Sequence, residues 1–146
     1  VAKSRGISNY WALAVMPEGY LLINSRDAAK LGIQDGDMVR VSSSSNPKGE
    51  YDLQNGKKHP MVGKAKVTEG IRPGVVAFPF SFGHWSSGAQ DVEIDGKVIQ
   101  GDSRRAVPLM ANGAMQLDPV LGNTGLSDLA GGSAVFYDSM VKVEKV

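Results

Sequence analysis

The stretch YLLINSRDAAKLGIQDGDMVRVSS, residues 20–43, decides the fold. Its opening run, residues 20–23 (YLLI), is short and apolar throughout, which predicts a strand buried on both faces. Asn24 or Ser25 then offers a side-chain oxygen to the free amides of a helix beginning at Arg26. Asp27 falls in the first helical turn, where a negative charge suits the positive end of the backbone dipole. Ala28, Ala29 and Leu31 supply the inward face, and Gly32 ends the helix as a left-handed cap. Ile33 returns to the core, Asp35-Gly36 makes a tight turn, and residues 38–42 form the next strand. The unit is strand, short helix, turn, strand.

Part of this unit recurs. Gly32-Ile33-Gln34-Asp35-Gly36-Asp37-Met38-Val39 is echoed by Gly70-Ile71-Arg72-Pro73-Gly74-Val75-Val76, an offset of 38 residues (70 minus 32). In each copy a Gly-Ile pair precedes a turn closed by glycine, and an apolar strand follows. The echo suits a small barrel of two similar halves, although Gly-Ile pairs and turn glycines also recur by chance.

With 146 residues the chain suits one domain that can bury a core without covalent staples. It has no cysteine, which excludes disulfides, thiolate metal sites, iron–sulfur ligation and a cysteine nucleophile within these residues. An oxidising compartment permits disulfides without requiring them, so the location stays open. A net charge of +1 gives no general electrostatic case for nucleic acid or an anionic membrane. No apolar run approaches the roughly 20 residues of a spanning helix, and no signal peptide is visible. The first residue is Val1 and not methionine, which suggests an excised or processed piece. With 18 glycines, one convincing helix, short strands and many turns, the pattern predicts a mostly β barrel with long loops.

Outward from the organising stretch, residues 10–16 (YWALAVM) form an apolar run read as an edge or core strand, stopped by Pro17-Glu18-Gly19. Arg5, Ser8 and Asn9 precede it as a polar cluster or a frayed terminus. Residues 42–60 are polar and turn-rich and read as a solvated loop or flexible hairpin, with Lys57-Lys58-His59 at its tip. Residues 62–68 alternate, Lys64, Lys66 and Thr68 against Gly63, Ala65 and Val67, as a half-buried strand does. Residues 75–80 are a further apolar strand, ended by Pro79 or placed at an edge by it. In residues 81–90 (SFGHWSSGAQ), His84 stands beside Trp85 with Gly83 and Gly88 freeing the backbone. Residues 92–99 predict a hairpin turning at Asp95-Gly96. Residues 133–137 and 140–146 close the chain as strands.

Known chemical motifs are scarce. Two histidines without cysteine or helical ligand spacing do not make a zinc or iron site. The phosphate loop, the dinucleotide fingerprint and the serine nucleophile elbow do not occur. Asp35-Gly36-Asp37 resembles the start of a calcium loop but lacks the remaining ligands.

Three ordered segments carry a resemblance: residues 20–43, then KAKVTEGIRPGVVAFPFSFGHW (64–85), then ANGAMQLDP (111–119). Together they resemble the molybdopterin-dinucleotide-binding domain that ends the large subunits of the dimethyl sulfoxide reductase family, over nearly the whole chain. Within that family SNYWALAV, IDGKVIQGDSRRA and LDPVLGNTGLSDLAGGSAVFYDSMVKV look most like tetrathionate reductase catalytic subunits. The resemblance implies a six-stranded double-psi β-barrel, aspartate-decarboxylase-like, with residues 1–146 as one cofactor-binding domain of a larger subunit.

By the same resemblance, Arg5, Ser8 and Asn9 match the polar lead-in to the first barrel strand, which lies against a pterin. Gly83, His84 and Trp85 match the loop that closes over the cofactor. Asn112 matches the asparagine that hydrogen-bonds a pterin edge, and Asp118 the carboxylate after it. The residue types fit, since a pterin or guanine offers donor–acceptor edges to Asn and a flat face to His or Trp.

The implied cofactor is molybdopterin guanine dinucleotide. Molybdenum or tungsten and an iron–sulfur cluster are held by other domains, so this chain is expected to supply no metal ligand and no activity alone. The implied partners are the other domains of the same large subunit, together with a membrane anchor and an iron–sulfur electron-transfer subunit. The resemblance further implies a soluble domain on the extracytoplasmic face. A different reading is the double-psi protein-recruitment module of AAA ATPases, which shares the Leu-Gly-Ile and Gly-Asp-x-Val phrases but does not call for Gly-His-Trp or Asn112. A free-standing small subunit of the same fold, as in formylmethanofuran dehydrogenases, is a third.

Overall fold

The chain folds around a curled mixed sheet, described in a computed structural model for residues 10–52, 56, 58–79, 82–83, 89, 91–102, 109–128, 130–135, 137 and 139–146. A short helix α1 (Tyr10–Val15) leads into β1 (Leu21–Asn24) and α2 (Ser25–Leu31). Then come β2 (Met38–Ser43), β3 (Glu50–Asp52), β4 (Lys58–Pro60), β5 (Val62–Thr68) and β6 (Val76–Ala77). A hairpin of β7 (Val92–Ile94) and β8 (Lys97–Ile99) precedes a 3-10 turn at Ala111–Gly113. The short β9 (Leu117–Asp118) and β10 (Thr124–Gly125) follow, and β11 (Val141–Lys145) closes the fold.

The organising stretch folds as its residues dictate. Leu21 and Ile23 are fully buried, and Asn24 caps α2 by accepting from the Arg26 amide at 2.9 Å. Asn24 is itself buried, and its Nδ2 donates to the Ile71 carbonyl at 2.8 Å, so both ends of its amide are satisfied. Gly32 ends the helix at φ 66, and its amide bonds back to the last turn.

Strand β5 is the spine of the sheet. Its first three residues pair antiparallel with β2 (Met38↔Lys64, Val39↔Gly63, Arg40↔Val62). Its later residues pair parallel with β1 (Leu21↔Ala65 to Asn24↔Thr68). Antiparallel β6 and β11 complete the order β11-β2-β5-β1-β6. Leu21, Ile23, Val39, Val41, Met61, Ala65, Leu109 and Val143 form the core, with Tyr51, Val67 and Phe78 packed against it. Each large apolar side chain buried there contributes about 1.5–3 kcal/mol.

The sequence echo is real in the backbone. The Asp37 amide bonds the Gln34 carbonyl and the Val75 amide bonds the Arg72 carbonyl, both at 3.1 Å and at the same offset of 38 (75 minus 37). Gly36 (φ 87) and Gly74 (φ 80) occupy the third position of these turns, the left-handed site of a type II turn. Each turn grips the other half. The Gly36 amide bonds the Ala65 carbonyl at 2.8 Å and Asp35 accepts from the Val67 amide at 2.8 Å. In return, Asp27 accepts from the Gly74 amide and Asn24 holds Ile71. The strand after each turn likewise pairs with the other half, β2 with β5 and β6 with β1.

Charges reinforce this frame. The Val67 amide, and after it Lys66, hold the Asp35 carboxyl below its ordinary range. Lys145, 2.6 Å from Asp37, and the Gln34 amide do the same for Asp37. Glu18, 2.9 Å from Lys64, raises the Lys64 ammonium above its usual value.

Three sequence expectations need correction. Residues 10–15 are helical, not a strand. An apolar run of that length is ambiguous by periodicity, and Ala and Leu favour helix. Residues 133–137 form no strand among the described positions, only a bridge between Ser127 and Ala134. Of the strand expected over 75–80, only Val76–Ala77 is strand among the described residues, and Pro79 cannot donate to a ladder. The Asp95-Gly96 hairpin is as expected, with φ 52 and 74 in the two turn positions that a type I′ turn requires. Among the described residues the main sheet has five strands and curls into half a barrel, and the fold is mostly β as expected.

Candidate functional site

The site is built where two glycine-bearing loops meet over the end of the core. Phe82 is buried and presses on Gly19, just ahead of β1, where a β-carbon would stand 2.9 Å from the phenyl ring. The next residue, Gly83, turns at φ 74 and lies flat on residues 109–110. A β-carbon on Gly83 would stand 2.7 Å from the Met110 nitrogen and 2.8 Å from the Leu109 carbonyl carbon. Glycine is required there both for the left-handed backbone and for the close approach. The loop ahead of His84 is thereby fixed against the segment that leads into Asn112.

Residues 109–118 run across this end as a strap anchored at several points. Leu109 and Ala114 are buried and pin it to the core. Between them the 3-10 turn Ala111–Gly113 lifts Asn112 into solvent, and its carboxamide bonds no described residue. Asn46 supports that turn from the β2–β3 loop. Its Nδ2 donates to the Gly113 carbonyl at 2.7 Å and to the Glu50 carbonyl at 2.8 Å. Gly113 sits on Met61 and Tyr51, where a β-carbon would stand 2.6 Å from the Met61 sulfur. Ser139 Oγ accepts from the Gln116 amide and Ser45 Oγ from the Leu117 amide, both at 2.8 Å. Asp118 caps the following turn, its Oδ1 accepting from the amides of Val120 at 2.8 Å and Leu121 at 3.3 Å.

Of the residues expected at a cofactor face, Gly83 and the segment leading into Asn112 are brought together, and Asp118 lies further along the same strap. Arg5, Ser8, Asn9, His84 and Trp85 lie outside the described residues. Asn46 and Ser45 were not singled out by the sequence, which reads residues 42–60 as a solvated loop. Their partners lie 67 and 72 residues away, so no local pattern announces them.

Asn112 presents a donor and an acceptor from the exposed turn Ala111–Gly113. Among the described residues no group of three or more His, Asp or Glu is placed to hold a metal ion. No described helix is long and apolar enough to cross a membrane.

The chain is similar in sequence to parts of several known reductase chains. A selenate reductase chain of Mesobacillus selenatarsenatis is 48% identical over 145 residues, covering 99% of this chain and 14% of that protein. A tetrathionate reductase chain of Salmonella typhimurium is 28% identical over 90% of the chain and 12% of its own length. The molybdopterin-containing chain of the arsenate respiratory reductase of Chrysiogenes arsenatis is 36% identical over 58% of the chain and 8% of its own length. The chain thus spans about a seventh or less of the curated relatives it matches. The selenate reductase chain is more similar than the tetrathionate reductase chain that sequence features favoured. A family model described as "Molydopterin dinucleotide binding domain" matches residues 3–98, most of the chain, and the chain belongs to that family, among the domains of dimethyl sulfoxide reductase-type enzymes.

Proposed function

We propose that this chain forms one wall of the cradle for a bis-molybdopterin guanine dinucleotide, in a molybdenum or tungsten reductase acting on a selenium or sulfur oxyanion of the selenate or tetrathionate kind. The observation that supports it is the contact of Gly83 with residues 109–110, which brings the residue ahead of His84 beside the segment that leads into Asn112. The cofactor, when bound, supplies the dithiolene ligands of the metal. This chain binds and orients it: Asn112 reads a ring edge, and the loop after Gly83 covers a face. In this reading the five-stranded sheet is the larger part of a six-stranded double-psi barrel, which the two reciprocal turns support. Its partners are the remainder of a large subunit, a membrane anchor and an iron–sulfur electron-transfer subunit, on the extracytoplasmic side.

The test is cofactor retention. The complete gene product carrying these residues is purified from molybdate-grown cells, and oxidised pterin fluorescence and acid-released guanosine monophosphate are measured. Asn112→Ala leaves a ring edge unpaired, at a cost of about 1–3 kcal/mol, or roughly 5–150-fold in affinity. Retention should fall accordingly, whereas Arg72→Ala, in the turn that grips α2, should retain the cofactor fully. Equal retention in Asn112→Ala and the unchanged protein contradicts the role given to Asn112, and no pterin in any preparation contradicts the function.

A further inference from the structure

We infer that Asn112-Gly113 is a site of spontaneous deamidation, held shut by the Ala111–Gly113 turn with Asn46 as its clamp. The inference concerns the covalent chemistry of these residues and stands whether or not they meet a pterin.

The step is intramolecular. The Gly113 nitrogen gives its proton to solvent base and bonds the Asn112 Cγ. The carboxamide C–N bond breaks and its nitrogen leaves as ammonia. Water then opens the five-membered imide at either carbonyl, leaving aspartate or its β-linked isomer at position 112. Nothing is oxidised or reduced. Glycine is the following residue that hinders this attack least, since it has no β-carbon. Here it is also the residue that the packing favours. A β-carbon at position 113 would stand 2.6 Å from the sulfur of the fully buried Met61 and 3.2 Å from the Tyr51 ring.

The backbone of the turn opposes the step. Ring closure needs the Asn112 Cβ and the Gly113 nitrogen nearly eclipsed about the Cα–C bond, and a 3-10 helix keeps ψ far from that value. Turning that bond swings the peptide plane between residues 112 and 113, which is held at both ends. Its N–H donates to the Met110 carbonyl at 3.0 Å, and its carbonyl accepts from the Met115 amide at 3.4 Å. The first of these bonds also retains the proton that the attacking nitrogen must lose.

The next peptide is pinned as well, so it does not follow the swing. Asn46 Nδ2 holds the Gly113 carbonyl at 2.7 Å, and Ala114 is buried. Asn46 is itself fixed, its Nδ2 donating to the Glu50 carbonyl at 2.8 Å and its Oδ1 accepting from the Glu50 amide at 3.3 Å. Deamidation therefore waits on opening of the turn. Once it occurs, a neutral group that donates and accepts becomes a carboxylate that only accepts. Conversion at position 112 records how long the strap has stood open.

Peptide mapping by mass spectrometry tests this on the complete gene product, freed of any cofactor and held at mildly alkaline pH. In denaturant Asn112 should convert at the rate of the chain's other Asn-Gly pair, Asn55-Gly56, which serves as an internal clock. In native buffer Asn112 should convert more slowly than in denaturant by roughly 10-fold or more, and the Gly113 amide should be protected from hydrogen exchange alongside it. Asn46→Ala should raise the native rate by roughly 2–10-fold, the worth of one hydrogen bond. Ser45→Ala, which removes the Leu117 anchor of the same strap, should leave that rate unchanged. Conversion as fast in native buffer as in denaturant overturns the inference. So does a Gly113 amide that exchanges freely while Asn112 stays intact. Equal acceleration in Asn46→Ala and Ser45→Ala overturns it too, because the clamp is then not Asn46.

Discussion

Single residues join the two halves of the fold, and Asn24 is the clearest case. Its carboxamide caps α2 and holds the Ile71 turn at once, from a buried position. Asn24→Ala removes the cap and leaves a carbonyl without its donor, so it should destabilise the chain by about 1–3 kcal/mol in denaturant melts. Asn24→Asp keeps the cap but sets a carboxylate against the Ile71 carbonyl, so it should not restore stability; full restoration would show that the cap alone matters. Asp37 contributes to stability toward acid. Its carboxyl is held below the ordinary value by Lys145 and the Gln34 amide. The ordinary value is about 3.9, so this contribution is fully present above that pH and is lost as pH falls through the lower folded value. Melting temperatures of Asp37→Asn followed from pH 6 to pH 2 should fall less steeply than those of the unchanged chain. Parallel curves would remove Asp37 from the account.

At the scale of elements, the strap over residues 109–118 depends on its supports. Asn46→Ala removes the donor to Gly113 while leaving Asn112 in place. It should shift the Ala111–Gly113 amide resonances and lower cofactor retention in the same direction as Asn112→Ala, but less. Unchanged resonances would show that Met61 and Tyr51 alone set the turn. Local chemistry made much of the fold legible: the cap at Asn24, the left-handed Gly32, the turn at Asp95-Gly96 and the alternation of β5 all follow from neighbouring residues. The α1 segment did not, because a seven-residue apolar run carries no decisive period. Asn46 and Ser45 were illegible for another reason. They act on residues some seventy positions away, and their own neighbourhood, SSSSNPKG, reads as any exposed turn would.

For the whole molecule, the two echoing turns and the partner exchange of β5 make the curled sheet a platform with loops gathered over one end of its core. In the proposed function that platform binds the cofactor and holds no reacting metal. Supplied with a reduced dye and tetrathionate or selenate, the isolated 146 residues should oxidise no dye above the blank; turnover by this chain would place the reacting metal within it. The central claim, that the loops at Gly83 and Asn112 hold a pterin dinucleotide, is tested most directly by a structure of the complete gene product with its cofactor bound. The account predicts the Asn112 carboxamide within about 2.7–3.2 Å of a ring-edge nitrogen or oxygen, with the residues after Gly83 against the cofactor. A bound cofactor that touches neither loop would contradict it.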